Sequence, residues 1–312
     1  MSETPLATVI HISDLHFGPS IFNRRTTFKK LVSRTPLQGR FPHFYEVARA
    51  LAREVRRIVA DRKKRRIPAM IVHTGDLTRT GEPEELMVGT TFLHSAHVTG
   101  AGARVGFDSR VLNIPGNHDI WQRGTPSKMA LIEDYYFSQA YPVKYELPIP
   151  GGMIVFHGLD SNRGSKSAHW KANGEVDPEQ LDAVCEQIHS NHSSGTIHVV
   201  CIHHPLAGDS GLRLNHREVV ALRLAEAGAS VVLAGHVHTH LSFMASAEMP
   251  LHLVAGSACQ MGTENTFLVL DFYQSQLDWT NYLHDWDRRQ FIPQLKRSQS
   301  FGGQRARTLP CD

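Results

Sequence analysis

Short runs of β-branched and aliphatic residues recur along the chain, separated by stretches in which apolar residues return every third or fourth position. The runs "TVIHI" (8–12), "AMIVH" (69–73), "RVLNI" (110–114), "MIVFHGL" (153–159), "IHVVCI" (197–202) and "SVVLA" (230–234) read as buried strands. Between them, Phe44, Val47, Ala48, Leu51, Val55, Ile58 and Val59 form one apolar stripe at helical spacing. A second helix is predicted at "DPEQLDAVCEQI", where Asp177 is suited to the N-cap and Pro178 to the first helical position, with Leu181, Val184, Cys185 and Ile188 on one face. Strands alternating with helices predict an α/β layered fold. Later, "LHLVAG", "NTFLVLDFY" and "LDWTNYL" are strand-like with only turn residues between them, so the C-terminal third is expected to add antiparallel strands and make the sheets mixed.

Two segments fit this alternation poorly. Residues 18–43 hold several Pro and Gly and no sustained period, which suggests a long loop or cap inserted over something. Residues 298–312 are polar with Gly and Arg and read as a flexible tail, leaving 1–297 as a single domain. The basic run "DRKKRR" at 61–66 closes a helix, where cations are favoured by the dipole, and is read as a solvated helix end.

Composition narrows the class. With 41% hydrophobic and 20% charged residues over 312 positions, the chain can bury a core and is not of disordered type. A formal net charge of +3 is small for this length and argues against a protein whose main business is holding a nucleic-acid backbone. Cys185, Cys201, Cys259 and Cys311 are far apart with no CxxC pair, so no disulfide framework is expected. No run approaches the ~20 apolar residues needed to cross a bilayer, and no secretory leader is evident, so the expected location is the cytoplasm.

The candidate chemistry is concentrated just beyond the strand ends. "TVIHIS" leads to Asp14 and His16, "AMIVHTG" to Asp76, "VLNIPG" to Asn117, His118 and Asp119, "VVCI" to His203 and His204, and "VVLAG" to His236 and His238. In open α/β sheets the C-terminal edge is where ligands bind, so residues distant in sequence can converge there. Two carboxylates, one amide oxygen and four imidazoles, from Asp14, His16, Asp76, Asn117, His203, His236 and His238, are too many for one tetrahedral ion and suit two ions sharing a carboxylate. Mixed nitrogen and oxygen donors without thiolate favour divalent Mn, Fe or Zn. Two such ions ~3.5–4 Å apart can bind phosphoryl oxygens and lower the pKa of a shared water, so that hydroxide is available near neutral pH. His11, His73 and His157 lie within or at the ends of the strand runs and read as hydrogen-bonded core histidines, while His240 is a candidate for the pocket rim.

Taken in order, "SDLHFG", "TGDLT", "PGNHD", "IHHP" and "AGHVH" resemble the calcineurin-like metallophosphoesterases over residues 9–240. The resemblance implies a four-layer α/β/β/α sandwich of two mixed β-sheets flanked by helices, with a dinuclear centre at one edge. It implies one metal held by Asp14, His16, Asp76 and His238, the other by Asp76, Asn117, His203 and His236, and Asp76 as the bridge. It gives His118 the role of protonating the leaving oxygen or holding the phosphate, with Asp119 placed to orient that ring and keep it cationic. His204 and Asn117 are the candidate substrate contacts.

The resemblance leans towards small bacterial-type class III phosphodiesterases acting on cyclic nucleotides or glycerophosphodiesters, through compact spacing, "GLDSNRG" (158–164) and "GSACQMG" (256–262). Arg79 after "GDLT" departs from the usual Asp or Asn there. The expected activity is metal-dependent hydrolysis of small phosphodiesters. A phosphomonoesterase or a nuclease would share the metal centre, and a nuclease would need a basic, aromatic groove, for which "FNRRTTFKK" (22–30) is the nearest candidate. The third reading is a non-catalytic metal-binding scaffold.

Overall fold

The computed structural model describes residues 3–18, 45–94, 110–120, 135–136, 140–162, 173–191, 195–208, 214–260 and 262–301. Strands β1 (Ala7–Ile12), β2 (Ala69–His73) and β3 (Arg110–Asn113) run parallel, with helices α1 (Tyr45–Lys64) and α2 (Pro83–His94) in the crossovers. The four-residue turn of helix α3 (Asn117–Ile120) comes next, then β4 (Val143–Ile149), β5 (Gly152–Gly158), α4 (Pro178–Ser190), β6 (Thr196–Cys201), α5 (Arg217–Ala227) and β7 (Val231–Ala234). The chain ends with β8 (Leu241–Phe243), β9 (Leu251–Val254), β10 (Thr266–Phe272), β11 (Gln276–Asp285) and β12 (Gln290–Ser300).

Two mixed six-stranded sheets result, ordered β12-β11-β10-β1-β2-β3 and β4-β5-β6-β7-β9-β8. Three apolar layers explain their packing. Val9, Val72, Phe156, Val199, Leu233, Leu270 and Trp279 fill the space between the sheets. Ile10, Ile12 and Ile71 point the other way, onto Val47, Leu51 and Val55 of α1 and Phe92 of α2. On the far side, Val200 and Val232 meet Leu181, Val184 and Ile188 of α4 and Leu224 of α5. Both faces of the central strands are therefore covered, which is why their sequences are apolar at consecutive positions rather than alternating. The order of layers is α/β/β/α, as expected.

At the start of α4, the Asp177 side chain accepts a hydrogen bond from Glu179 N at 2.8 Å and Pro178 comes directly after it, the cap read from the sequence. Other expectations need correction. "LHLVAG" forms β9, which is parallel to β7 and antiparallel only to the three-residue β8, because that short strand reverses the chain once before β9 begins. Strands β4, β8 and β12 were not legible as apolar runs: β4 and β12 carry many exposed polar residues and β8 is too short. Residues 298–300, expected in the tail, instead belong to β12, and Ser298 Oγ donates to Asp278 Oδ1 at 2.6 Å. Residues 302–312 and, apart from Gly18, the expected cap at 18–43 lie outside the described residues, as does "FNRRTTFKK". The run at 61–66 does close a helix, but Arg62 turns inward to Asp271 at 3.1 Å.

Candidate metal centre

The parallel strands β1, β2 and β3 of one sheet and β6 and β7 of the other all end at the same edge, and the polar residues beyond their ends meet there. The loops continue the sheet's ladder past the strand ends: Asp14 N donates to Gly75 O at 3.0 Å, His16 N to Asp76 O at 2.9 Å, and Gly235 N to His203 O at 3.0 Å. Within those loops Asp14, His16, Asp76, His236 and His238 have φ of +53°, +48°, +57°, +74° and +58°. Left-handed backbone is uncommon outside glycine and costs of order 1–3 kcal/mol where the surroundings enforce it. Here it turns five candidate donors inward instead of letting them follow the strand direction.

Three glycines make room for that packing. A Cβ at Gly116 would overlap Asp76 Oδ1 and the Asp76 backbone, one at Gly235 would overlap Ser13 and Asp14 Oδ2, and one at Gly75, itself at φ +101°, would meet His203 Nδ1. Loop against loop is thus closer than any side chain permits.

The side chains gather in two groups. In the first, Asp14, His16, Asp76 and His238 present donor atoms all within 4.8 Å of one another. His16 Nε2 and His238 Nε2 face each other at 3.1 Å, and Asp14 Oδ1 lies 3.2 Å from His238 Nε2 and 3.7 Å from His16 Nε2. In the second, His203 Nε2 and His236 Nδ1 are 3.2 Å apart, and Asn117 Oδ1 is 3.0 Å from each. Asp76 Oδ2 stands between the groups, 3.7 Å from His16 Nε2 and 3.5 Å from His203 Nε2.

Each carboxylate has its other oxygen committed to backbone: Asp76 Oδ1 accepts from His118 N at 2.8 Å and Asp14 Oδ2 from His236 N at 2.9 Å. That leaves Asp76 Oδ2 and Asp14 Oδ1 for the interior of the cluster. His203 Nδ1 donates to Thr74 O at 2.7 Å, which leaves Nε2 facing inward as the nitrogen that would carry the lone pair in the neutral ring. Burial pushes the His16 ring down to about 4 and that of His236 to about 3, keeping both neutral. Burial also opposes charge on His203, but the neighbouring Asp76 carboxylate outweighs it and raises the ring to about 9. Asp14 and Asp76 stay below the ordinary carboxylate range in spite of burial, held there by the adjacent histidines. Paired imidazole nitrogens at 3.1 and 3.2 Å, in reach of buried carboxylate oxygens, suit two shared cations: two donors ~2.1 Å from one ion stand roughly 3–3.5 Å apart. The residues therefore fit a dinuclear centre.

His118 lies beside the first group, its ring edge-on to that of His16 with centroids 4.7 Å apart. Its Nδ1 meets the Arg79 carbonyl at 2.7 Å. The orienting role expected of Asp119 thus falls to Arg79, whose backbone does this work whatever its side chain. Asp119 instead is fully buried and accepts from Thr78 N (2.8 Å), Thr78 Oγ1 (2.9 Å), Gly116 N (2.9 Å) and, more weakly, Leu77 N (3.3 Å). It ties the loop after β2 to the loop after β3, and with both its oxygens occupied there it has none to give the His118 ring.

His204 is also fully buried, with Nδ1 2.8 Å from Ser161 Oγ, rather than on an open face. His240 gives Nδ1 to Val254 O at 2.9 Å, which anchors the loop after β7 to β9. His11 contacts Thr74 Oγ1 at 2.9 Å, His73 contacts Asn113 Oδ1 at 2.5 Å, and His157 contacts His198 Nδ1 at 3.1 Å, all as core histidines. In the two segments expected to mark substrate class, two described side chains support the loops of the centre. Ser257 Oγ donates to Asp14 O at 2.7 Å, and Asn162 Nδ2 to Pro115 O at 3.0 Å. Thr74, Thr78, Ser161 and Ser257 escaped sequence reasoning as supports because a hydroxyl beside a strand end carries no signal of which distant loop it will touch.

The profile of the calcineurin-like phosphoesterase family matches residues 7–240. No curated protein matches the chain. Among solved structures, a dimetal phosphatase from Danio rerio is similar at 15% identity and a TM-score of 0.55, covering 93% of this chain and 98% of that one. GAP50, the anchor in the inner membrane complex of Plasmodium, is similar at 12% identity and a TM-score of 0.56, covering 96% of this chain and 90% of that one. At such identities the likeness is one of fold. Among the described residues no helix is long and apolar enough to cross a membrane.

Proposed function

Because the chain belongs to the calcineurin-like phosphoesterase family, a family of phosphate-ester hydrolases, we propose that it hydrolyses small phosphodiesters at two divalent ions. Asp14, His16, Asp76 and His238 would hold one ion and Asp76, Asn117, His203 and His236 the other. The observation that carries this reading is Asp76 Oδ2, which faces His16 Nε2 at 3.7 Å and His203 Nε2 at 3.5 Å while Oδ1 is committed to His118 N. A bound pair of this kind supplies charge neutralisation for the phosphoryl oxygens and an activated water. The chain's own part is to hold the ions at a set spacing through Asp76 and to deliver a proton. With Nδ1–H given to the Arg79 carbonyl, the His118 ring presents Nε2 for protonating the departing oxygen.

The preference for diesters over monoesters rests on the spacing of the motifs. Mn, Fe and Zn suit the donor set equally. The free thiols of Cys185, Cys201 and Cys259 favour a reducing compartment, the cytoplasm. A purely anchoring role, suggested by the likeness to GAP50, is disfavoured by the complete donor set and by His118 beside it. The test is turnover of bis(p-nitrophenyl) phosphate and of p-nitrophenyl phosphate by metal-stripped protein, alone and reconstituted with Mn, Fe or Zn. Metal-dependent turnover favouring the diester is expected; a metal-replete protein that turns over neither would overturn the proposal, and one favouring the monoester would make it a phosphomonoesterase.

A further inference from the structure

We propose that Ser161 and His204 form a brace that sets the position of the second ion's histidines, so that His204 is a positioning residue rather than a substrate contact. The proposal rests on the assignment of His203 and His236 to that ion.

The ring of His204 is wedged against both. Its centroid is 4.4 Å from that of His236, tilted by 51°, and 5.0 Å from that of His203, nearly perpendicular at 83°. One nitrogen of each of the three rings lies within 4.8 Å of the others. Two contacts fix the wedge from behind. Ser161 Oγ meets His204 Nδ1 at 2.8 Å, and the same oxygen accepts from His204 N at 3.4 Å, so ring and backbone are held by one hydroxyl. Gly174 also packs on the ring: a Cβ there would overlap Nδ1 and Cγ of the ring and come within 2.9 Å of Cε1.

Gly174 cannot retreat. Its carbonyl accepts from Asn215 N at 2.8 Å, it bridges Leu214, and the next residue, Glu175, donates from N to Ser161 O at 2.8 Å. Ser161, Gly174 and His204 therefore form one stack whose inner end is the ring that faces His203 and His236. Removing the hydroxyl takes away the hydrogen-bond partner of Nδ1; adding a methyl at position 174 forces the ring out of its present place between His203 and His236. Groups that orient ligands in this way typically change metal affinity by about 10–100-fold when removed.

The experiment is a Mn(II) titration of the metal-stripped full chain, with electron paramagnetic resonance as the readout, which separates a coupled pair from a lone ion. The wild type is expected to take two ions and show the coupled signal. Ser161→Ala and Gly174→Ala are expected to take the first ion as the wild type does and the second about 10-fold or more weakly, showing the lone-ion signal at matched metal. Thermal unfolding of the metal-free chain serves as the control for a merely structural role. Both variants binding both ions with wild-type affinity would overturn the brace alone, as would equal weakening of both ions accompanied by lower metal-free stability. A wild type that takes fewer than two ions would overturn the dinuclear reading, and the brace with it.

Discussion

Gly116→Ala isolates the placement of the proposed bridging carboxylate without replacing any candidate donor. Gly116 packs against Asp76 so closely that an added Cβ overlaps Oδ1 and the backbone nitrogen and stands 2.8 Å from Cγ. Ordinary contact needs roughly 3.4–4 Å, and Oδ1 and the backbone nitrogen lie nearer the added Cβ than Cγ does, so the carboxylate or its loop must shift by more than about 1 Å. The loop has little freedom to do so. Asp76 O is held by His16 N at 2.9 Å, Asp76 Oδ1 by His118 N at 2.8 Å, and Gly116 N by Asp119 Oδ2 at 2.9 Å. The overpacking itself should cost about 1–3 kcal/mol, which a domain with this core tolerates. The displacement matters more: metal–ligand distances hold within ~0.2 Å, and a shift near 1 Å at a reacting centre costs about 100-fold in rate. The assay is metal content after dialysis against Mn(II), together with turnover of bis(p-nitrophenyl) phosphate and equilibrium unfolding. The variant is expected to remain folded, to bind fewer than two ions per chain, and to lose turnover by about 100-fold or more. A folded variant with two ions and wild-type turnover would refute the claim that the Asp76 carboxylate sets the spacing. Gly151→Ala is the control, since a Cβ there meets nothing within 4 Å; at φ +78° it should cost about 1 kcal/mol and leave metal content unchanged.

Two further outcomes are expected from single residues. His118→Ala should keep both ions, because no donor is removed, yet slow hydrolysis of esters with poor leaving groups more than of nitrophenyl esters; equal slowing of both would argue against proton delivery by this ring. His252 is fully buried with both ring nitrogens unpartnered and is lowered by burial to about 3, against 6.5 when unfolded. The unfolded chain therefore takes up this proton first as pH falls, so the stability tied to the neutral ring is complete above 6.5 and lost progressively towards about 3. His252→Leu should move the acid-unfolding midpoint of the metal-free chain to lower pH, read by fluorescence; an unchanged or higher midpoint would contradict it.

Much of the fold was legible because burial on both faces writes itself into consecutive apolar residues, as in β1, β2, β6 and β7. Strands at the sheet margins leave no such record. β12 exposes most of its side chains, and only backbone pairing with β11 reveals it as a strand. Direction was likewise hidden: nothing in "LHLVAG" tells that β9 lies parallel to β7, since that depends on the short β8 reversing the chain.

The convergence of the candidate donors was legible for a related reason. Carboxylates and imidazoles placed directly after buried strands have no ordinary use there, and their order along the chain carried Asp14, His16, Asp76, Asn117, His203, His236 and His238 as a group. Neighbouring positions within the same motifs were not separable. Asp119 adjoins His118 and His204 adjoins His203, yet the fold sends Asp119 to Thr78 and Gly116, and His204 to Ser161. One-dimensional order specifies which residue types arrive at an edge, because chemistry resides in the side chain. Which atom each one meets is decided by left-handed turns, glycine contacts and loops brought from far along the chain, and those exist only once the two sheets have packed.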